Sequence, residues 1–401
     1  GDRGTLIGST RSESNSFPRL DIIGDGTGGA IVGWPDLSPD QINSTKHVSK
    51  ISSEGKVLWR KDYVSFDKLV SDGDGGAVIA DESFVLVRID AQGNYSWGQQ
   101  GLRITSKGYW PNSLRVINDG NSGVIVVWEE QESQAGTFPN ATHTWRIMAQ
   151  RIDNTGRMSW GDNGVILSTN PENTVIEEPS VTSDGSGGAI LAWHQYASGK
   201  VVGGSPEWFL QDIFVQKIDA GGNILWQQGG IPLGIVRVAE TALPHTPLVV
   251  SGGSKGAIII WEDMRNGLAS IYAQKVAADG TLSWQSGGVE TVFVKSNASL
   301  AFRQIVADGQ GGAIVSCRFN DAGTGKKGIL VQKLDSAGKL VWPVSGIKVL
   351  NGDATNYLLA IDGQGGAIVS WGDGVSGDSY IQRVNAQGTT LWGNNRIRLS
   401  P

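Results

Sequence analysis

Asp184-Gly-Ser-Gly-Gly-Ala-Ile-Leu-Ala-Trp193 and, a little further on, Gln216-Lys-Ile-Asp-Ala-Gly-Gly-Asn-Ile-Leu-Trp226 carry the architecture of this chain. The first begins with a run of small residues, most of them glycines that tolerate positive φ, as a tight hairpin turn requires. It continues as a short apolar, β-branched run that closes on an indole, which reads as a strand. The second is the reverse: a strand, an Asp-x-x-Gly turn, then another strand start ending in tryptophan. One unit therefore offers four strands, Pro179 to Ser183, Ala189 to Trp193, Ile213 to Asp219, and Asn223 to Trp226 running on through Ile231 to Leu233.

Both stretches recur. The Asp-Gly hairpin begins at Asp25, Asp72, Asp119, Asp184, Asp308 and Asp362, with a degraded copy at Ser251. Its closing tryptophan is Trp34, Trp128, Trp193, Trp261 and Trp371; Cys317 takes that slot in the sixth copy, and the second has no equivalent near Ala80. The second motif ends at Trp59, Trp97, Trp160, Trp226, Trp284, Trp342 and Trp392, and the two motifs alternate without exception. Seven units share 401 residues, about 57 each, which lies in the range of repeat arrays. A lone four-stranded sheet cannot bury both faces, whereas seven packed radially can. The spacing thus predicts one all-β domain over residues 1–401, a seven-bladed β-propeller with four-stranded antiparallel blades. The repeats run 1–59, 60–97, 98–160, 161–226, 227–284, 285–342 and 343–401. No sustained 3.6-residue period occurs, so helix is not expected. Gly4-Thr-Leu-Ile and Arg396-Ile-Arg-Leu both match the short element that follows each repeat tryptophan. This predicts that the two ends meet in one blade and close the ring.

Ile152-Asp-Asn-Thr-Gly-Arg-Met-Ser-Trp160, Ile218-Asp-Ala-Gly-Gly-Asn-Ile-Leu-Trp226 and Leu334-Asp-Ser-Ala-Gly-Lys-Leu-Val-Trp342 resemble the tryptophan-docking repeat of pyrroloquinoline-quinone-type propellers. The Asp-Gly hairpin followed by Ile-Tyr-x-Gln-Lys is similar to TolB-type propeller repeats. Together they resemble tandem repeats of secreted bacterial proteins, over all seven units. The resemblance implies fold and leaves activity open. Quinone enzymes of that kind use a vicinal cysteine pair and calcium ligands; with a single Cys317 the pair is ruled out, so no cofactor is expected.

Composition narrows the classes. Glycine is 57 of 401 residues, twice the usual share of about 7%, yet without a period of three. One cysteine excludes an internal disulfide framework. A net charge of −6 gives no electrostatic footing for nucleic acid. No apolar run reaches the ~18 residues of a membrane helix, so membrane insertion is not expected. Loops rich in Gly, Ser, Asn and Thr favour an extracellular or cell-surface setting. A closed ring exposes few strand edges, which favours a monomer.

Candidate function lies in the loops that vary between units. The longest run from Glu129 to Arg146 and from His194 to Asp212. The three tryptophans outside the repeat, Trp110, Trp145 and Trp208, fall on this side with Tyr196, His143, His194 and His245. Glu129, Glu262 and Arg265 stand beside them as polar partners. Exposed aromatics suit stacking on sugar rings or anchoring a protein; packing their own long loops is the other reading. Asp36, Glu130, Asp263 and Asp373 each stand two residues beyond a hairpin tryptophan and are expected to ring one channel mouth. There they could hold a cation or act as acids, or they could bond their own turns. No metal-ligand spacing is present, and Cys317 reads as a buried small hydrophobe. The expected function is a non-catalytic module that binds a glycan or protein through the aromatic face of blades 3 to 5. A polysaccharide lyase or glycoside hydrolase using the channel acids, and a purely structural module, are the alternatives.

Overall fold

The computed structural model describes residues 21–35, 45–63, 66, 68–81, 83–104, 109–132, 145–169, 174–197, 209–238, 246–293, 298–321, 323–393 and 396–399. It is an all-β, seven-bladed β-propeller. Each of seven sheets holds four antiparallel strands paired in chain order, and no helix occurs among the described residues. Two compact units divide the chain. Blades 1 to 3 belong to the first, which also takes Gly185–Ala189 and Ile218–Asn223; the rest of blade 4 and blades 5 to 7 form the second.

The period of two in the sequence is the packing plan. The second strand of blade 5, Gly256–Asp263, is buried along its whole length. Ala257, Ile259 and Trp261 face Ile190, Ala192 and Trp226 of blade 4, while Ile258 and Ile260 face Ala313, Val315 and Cys317 of blade 6. A strand buried on both faces needs apolar residues at every position, and this one has them.

Each residue of the second motif has an assignable task. In blade 5, Gln274 Oε1 accepts the amides of Lys275 (2.9 Å) and Trp284 (3.0 Å), and its Nε2 donates to Gln285 O. The Trp284 indole then donates to Ser336 O, 3.1 Å away in the Asp-x-x-Gly turn of blade 6. The same bond links Trp59 to Ala91, Trp97 to Asn154, Trp160 to Ala220, Trp226 to Ala278 and Trp342 to Ala386. The basic residue makes a second link. Lys333 Nζ lies 3.9 Å from Asp308 of its own hairpin and donates to Gly365 O of the next (2.8 Å). Arg88 pairs with Asp72 of its own hairpin and donates to Asn154 O in the Asp-x-x-Gly turn of the next blade (2.9 Å). The hairpin aspartate in turn accepts two amides of its own turn, as Asp308 does from Gln310 and Gly312 (both 2.8 Å). Buried indole area, ~200 Å² worth about 5 kcal/mol gross, outweighs the ~1 kcal/mol of its hydrogen bond. Packing therefore holds the blades together, and the bond sets the angle of the indole.

In blades 2 to 7 the outer strand starts after the repeat tryptophan, whereas in blade 1 it contains Trp59. In blade 4 it is Ile231–Val238, and within Asn223–Trp226 only Ile224 makes a β-bridge. Repeats drawn from tryptophan to tryptophan therefore leave the outer strands of blades 2 to 6 in the next repeat. Blade 7 takes its outer strand from its own end, Ile397–Arg398, and blade 1 has its own in Val57–Tyr63. Neither is a composite of two chain ends among the described residues. The expected partner, Gly4-Thr-Leu-Ile, lies outside them.

Gly338 shows how tight the dock is. Its φ is +81°, and a Cβ there would stand 2.8 Å from the Trp284 ring. Gly338→Ala is expected to cost more than ~2 kcal/mol through strain and overlap together, and Trp284→Phe ~1–3 kcal/mol through lost buried area and the lost hydrogen bond together. Urea unfolding of the two variants measures both. Asp25 gives a second test. The hydroxyl and amide of Thr27, then the Gly29 amide and Lys50, hold its pKa at about 2 against the opposing effect of burial. A carboxyl depressed in the folded state stabilises above its ordinary pKa of 3.8, and that stability is lost as pH falls towards 2. Asp25→Asn should flatten the acid limb of the unfolding midpoint between those values, with the wild type steeper.

Candidate functional site

Blade 3 brings two of the three non-repeat tryptophans together. Its inner, second and third strands are Tyr109–Asn118, Val124–Glu132 and Trp145–Ile152. Gln131 pairs with Trp110 on one side and with Trp145 on the other. Residues directly opposite in a sheet share a face, so the three side chains form a row: indole, amide, indole. Trp110 is 70% exposed, far more than any repeat tryptophan; Trp145 is half-buried.

A β-bulge sets this row. Val127 pairs with Arg115, but Glu129 pairs with Asn112, so the inner strand holds one extra residue. Ser113 takes a φ of +53° there. An uninterrupted ladder would set Pro111 opposite Gln131 and turn Trp110 to the other face; one inserted residue inverts the parity. The bulge is paid in local backbone strain, and the second strand then continues to Glu132.

The other expected residues are placed differently. His143, Trp208, His245 and Asp36 lie outside the described residues. Tyr196 falls in the strand Ala189–Ala197 of blade 4. His194 and Glu129 are buried at 0% and 1% exposure, and Glu262 at 9%. All three follow a hairpin tryptophan and sit on the strand face opposite to it, inside the sheet packing.

The acids two residues beyond those tryptophans are each engaged within their own blade. Glu130 accepts the Trp128 indole (3.0 Å) and ion-pairs with Arg146 on the neighbouring strand. Asp263 accepts the Arg265 amide (2.8 Å) and pairs with its guanidinium, which lies 4.1 Å over the Tyr272 ring. Asp373 accepts the amides of Ser376 (2.9 Å) and Val375 (3.0 Å) and pairs with Arg396 at 3.2 Å. Those two amides, with Arg396 adding less, hold the Asp373 pKa below the usual carboxylate range, against burial. Arg396 lies 3.9 Å over Tyr380, which stacks on Trp371. Acid, arginine and aromatic ring thus close the end of a blade. Among the described residues, no three His, Cys, Asp or Glu side chains converge as metal ligands would.

Blade 6 breaks the pattern at two facing positions. Cys317 replaces the hairpin tryptophan, and the bulge opposite it carries Arg303. Five residues ahead of the turn aspartate, Arg303 stands where blades 3, 4 and 7 have Leu114, Pro179 and Tyr357. Its Nη2 donates to Thr246 O (3.3 Å), and Nη1 is sealed from solvent with no hydrogen-bond partner among the described residues. Burial lowers the Arg303 pKa and raises that of Glu262, each acting against their mutual attraction. Burial also pushes the Cys317 thiol up to about 12, so it stays a thiol. Phe319 stands where blades 3, 5 and 7 have Glu130, Asp263 and Asp373, with Lys348 Nζ 5.2 Å over its ring. Sequence reading flagged Cys317 but missed Arg303; aligning the inner strands on the turn aspartate would have exposed it.

No family model matches the chain, and no curated protein matches it. Among solved structures it is similar to the Hadza microbial sialidase Hz136 at 13% identity, over 91% of this chain and 64% of that one, TM-score 0.41. It is similar to the β-propeller domain of the Trilobed protease from Pyrococcus furiosus at 9% identity, over 96% of each chain, TM-score 0.44. A third is the Pyrococcus horikoshii acylaminoacyl peptidase, at 9% identity over 96% of this chain and 52% of that one, TM-score 0.48. The chain therefore spans less than two thirds of the sialidase and about half of the peptidase. At these identities the likeness is one of fold.

Arg303 and Glu262 yield a stability test. Arg303→Leu removes a cation that attracts the buried Glu262, and Glu262→Gln removes one of the anions, Glu178 being another, that attract the buried guanidinium. Each is expected to cost ~1–3 kcal/mol, and the double variant less than their sum by at least ~0.5 kcal/mol. A double-mutant cycle in urea measures the coupling.

Proposed function

We propose that this protein is a non-catalytic binding module that takes a glycan on the aromatic face of blade 3. The row Trp110–Gln131–Trp145 carries the reading. An indole offers an apolar, electron-rich plane to the C–H face of a pyranose, and an amide offers both donor and acceptor to its hydroxyl edge. A protein hot spot would set its aromatic anchor in a desolvated pocket, whereas Trp110 stands 70% exposed on a strand. A sugar, apolar on its faces and polar at its edges, suits a wet aromatic surface better. Binding in an extracellular or cell-surface setting, by a monomer, goes with this proposal.

The hydrolase and lyase readings draw less support. A general acid must reach its substrate's proton, and Glu130 and Asp263 are fully buried in ion pairs. Their geometry suits closing a blade.

The test is binding of the wild type and Trp110→Ala to an array of plant, bacterial and animal glycans. Trp110 is exposed enough that its loss should leave the unfolding midpoint within ~0.5 kcal/mol. The expected result is a wild-type signal on a limited set of glycans that falls at least tenfold, about 1.4 kcal/mol, in the variant. No wild-type binding to any glycan, or equal binding by both, would overturn the proposal.

A further inference from the structure

We infer that the ligand is a neutral, extended polysaccharide with equatorial linkages, lying across the strands of blade 3 so that two of its rings, two units apart, stack on Trp110 and Trp145. This rests on the glycan reading of that face and names the substrate class.

The direction comes from the register. Trp110 and Trp145 both pair with Gln131, so the line between them runs perpendicular to the strands. Its length is two strand spacings, ~9.6 Å. That matches two successive units of an extended chain of pyranose rings; a coiled, axially linked chain is shorter over the same number of rings. The middle ring then lies over Gln131, whose amide can donate to one hydroxyl and accept from another. An extended equatorial chain turns alternate edges towards a surface, so rings one and three present like faces to the two indoles. The row holds no charged side chain, which favours a neutral chain over a uronic acid or sulfated one.

The twist of the sheet sharpens the class. Neighbouring strands rotate by roughly −20 to −25°, so planes set on the first and third strands are turned from one another. A single chain in solution can twist to follow them. A flat crystalline face cannot.

The experiment is calorimetric titration of the whole chain with cello-, xylo- and chito-oligosaccharides of two to six units, with maltohexaose as the axially linked control. In at least one equatorial series affinity is expected to rise about tenfold from dimer to trimer, as the second stacking contact forms, and to level off beyond. Trp145→Ala should abolish that step and leave trimer binding like dimer. Trp145→Phe, which keeps most of the apolar volume, should leave a reduced step, so the result does not hang on how well the alanine variant folds. Maltohexaose should not bind, and crystalline cellulose and chitin should bind more weakly than their soluble oligomers. Binding that ignores length, or a step that survives in both Trp145 variants, overturns this inference and leaves the glycan reading standing. Binding to no glycan, with Trp110→Ala unchanged, overturns the glycan reading and this inference with it.

Discussion

One indole wedged against the turn of the next blade is the constraint on which the rest depends. Trp284 illustrates it: the ring is buried, its N–H reaches Ser336 O, and Gly338 lies flat against it because no Cβ fits. The requirements follow in sequence. The turn must end in glycine, which takes positive φ in every unit, and in blades 2, 3, 4 and 6 it opens with an aspartate that accepts the turn amides. The strand before it carries glutamine in blades 3 to 7, which holds the tryptophan's own backbone in blades 3, 4, 5 and 7; Ser49 and Val87 stand there in blades 1 and 2. That strand must also carry Lys or Arg, to join the hairpin aspartate to the neighbouring turn. The interactions converge on one seam, and the basic residue, the turn glycine and the indole are the parts kept in all seven units.

Where one of these is missing, the others compensate. Ser251 replaces the hairpin aspartate in blade 5, so Lys275 has no carboxylate in that turn, yet it still donates to Gly311 O at 2.7 Å. The link to the next blade outlasts the link within the blade. Blade 6 lost its hairpin tryptophan, and Phe319, Cys317 and the stem of Arg303 share the vacated side of the sheet. The repeat-end tryptophan, Trp342, remains and docks on Ala386. The two tryptophans of a unit are thus unequal. The hairpin indole fills volume and can be replaced by other apolar groups. The repeat-end indole fills volume and fixes an angle, and no unit does without it.

The fold was legible because this seam is built from local sequence. Turn glycines, the aspartate and the indole lie within about ten residues of each other, and seven copies make the pattern unmistakable. Three things were hidden. In blade 4 the outer strand begins only at Ile231, and of the strand expected at Asn223–Trp226 only Ile224 makes a β-bridge. The parity inversion at Ser113 has no composition signature; Pro111-Asn-Ser-Leu-Arg115 reads as ordinary strand edge. Arg303 drew no attention, because burial of a charge depends on what faces it, and Cys317 is fourteen positions further along the chain but opposite it across the sheet. Trp110 and Trp145 were found from the sequence as outsiders to the repeat. Their adjacency was not, because 35 residues of chain separate positions that one glutamine brings into line.

That alignment needs a second strand running four residues past its hairpin slot, which blades 3, 4 and 6 have, and a tryptophan at both partners of one residue, which Gln131 has. Bulges interrupt the inner strands of blades 6 and 7 too. There they turn Arg303 and Tyr357 inward, to partners in Thr246 and Ser316. In blades 5 and 7 the second strand stops at Asp263 and Asp373, where the acid and its arginine finish the sheet. In blade 3 the acid is Glu130, and Arg146 reaches it from the adjacent strand rather than from the turn that follows. The ladder is therefore free to run on to Glu132. The two extra residues past the ion pair are what give Gln131 a place between two indoles. A lengthened loop alone would have added aromatic side chains without a common plane; lengthened strands add them in register, and a rigid, regularly spaced ligand is what such a register can read.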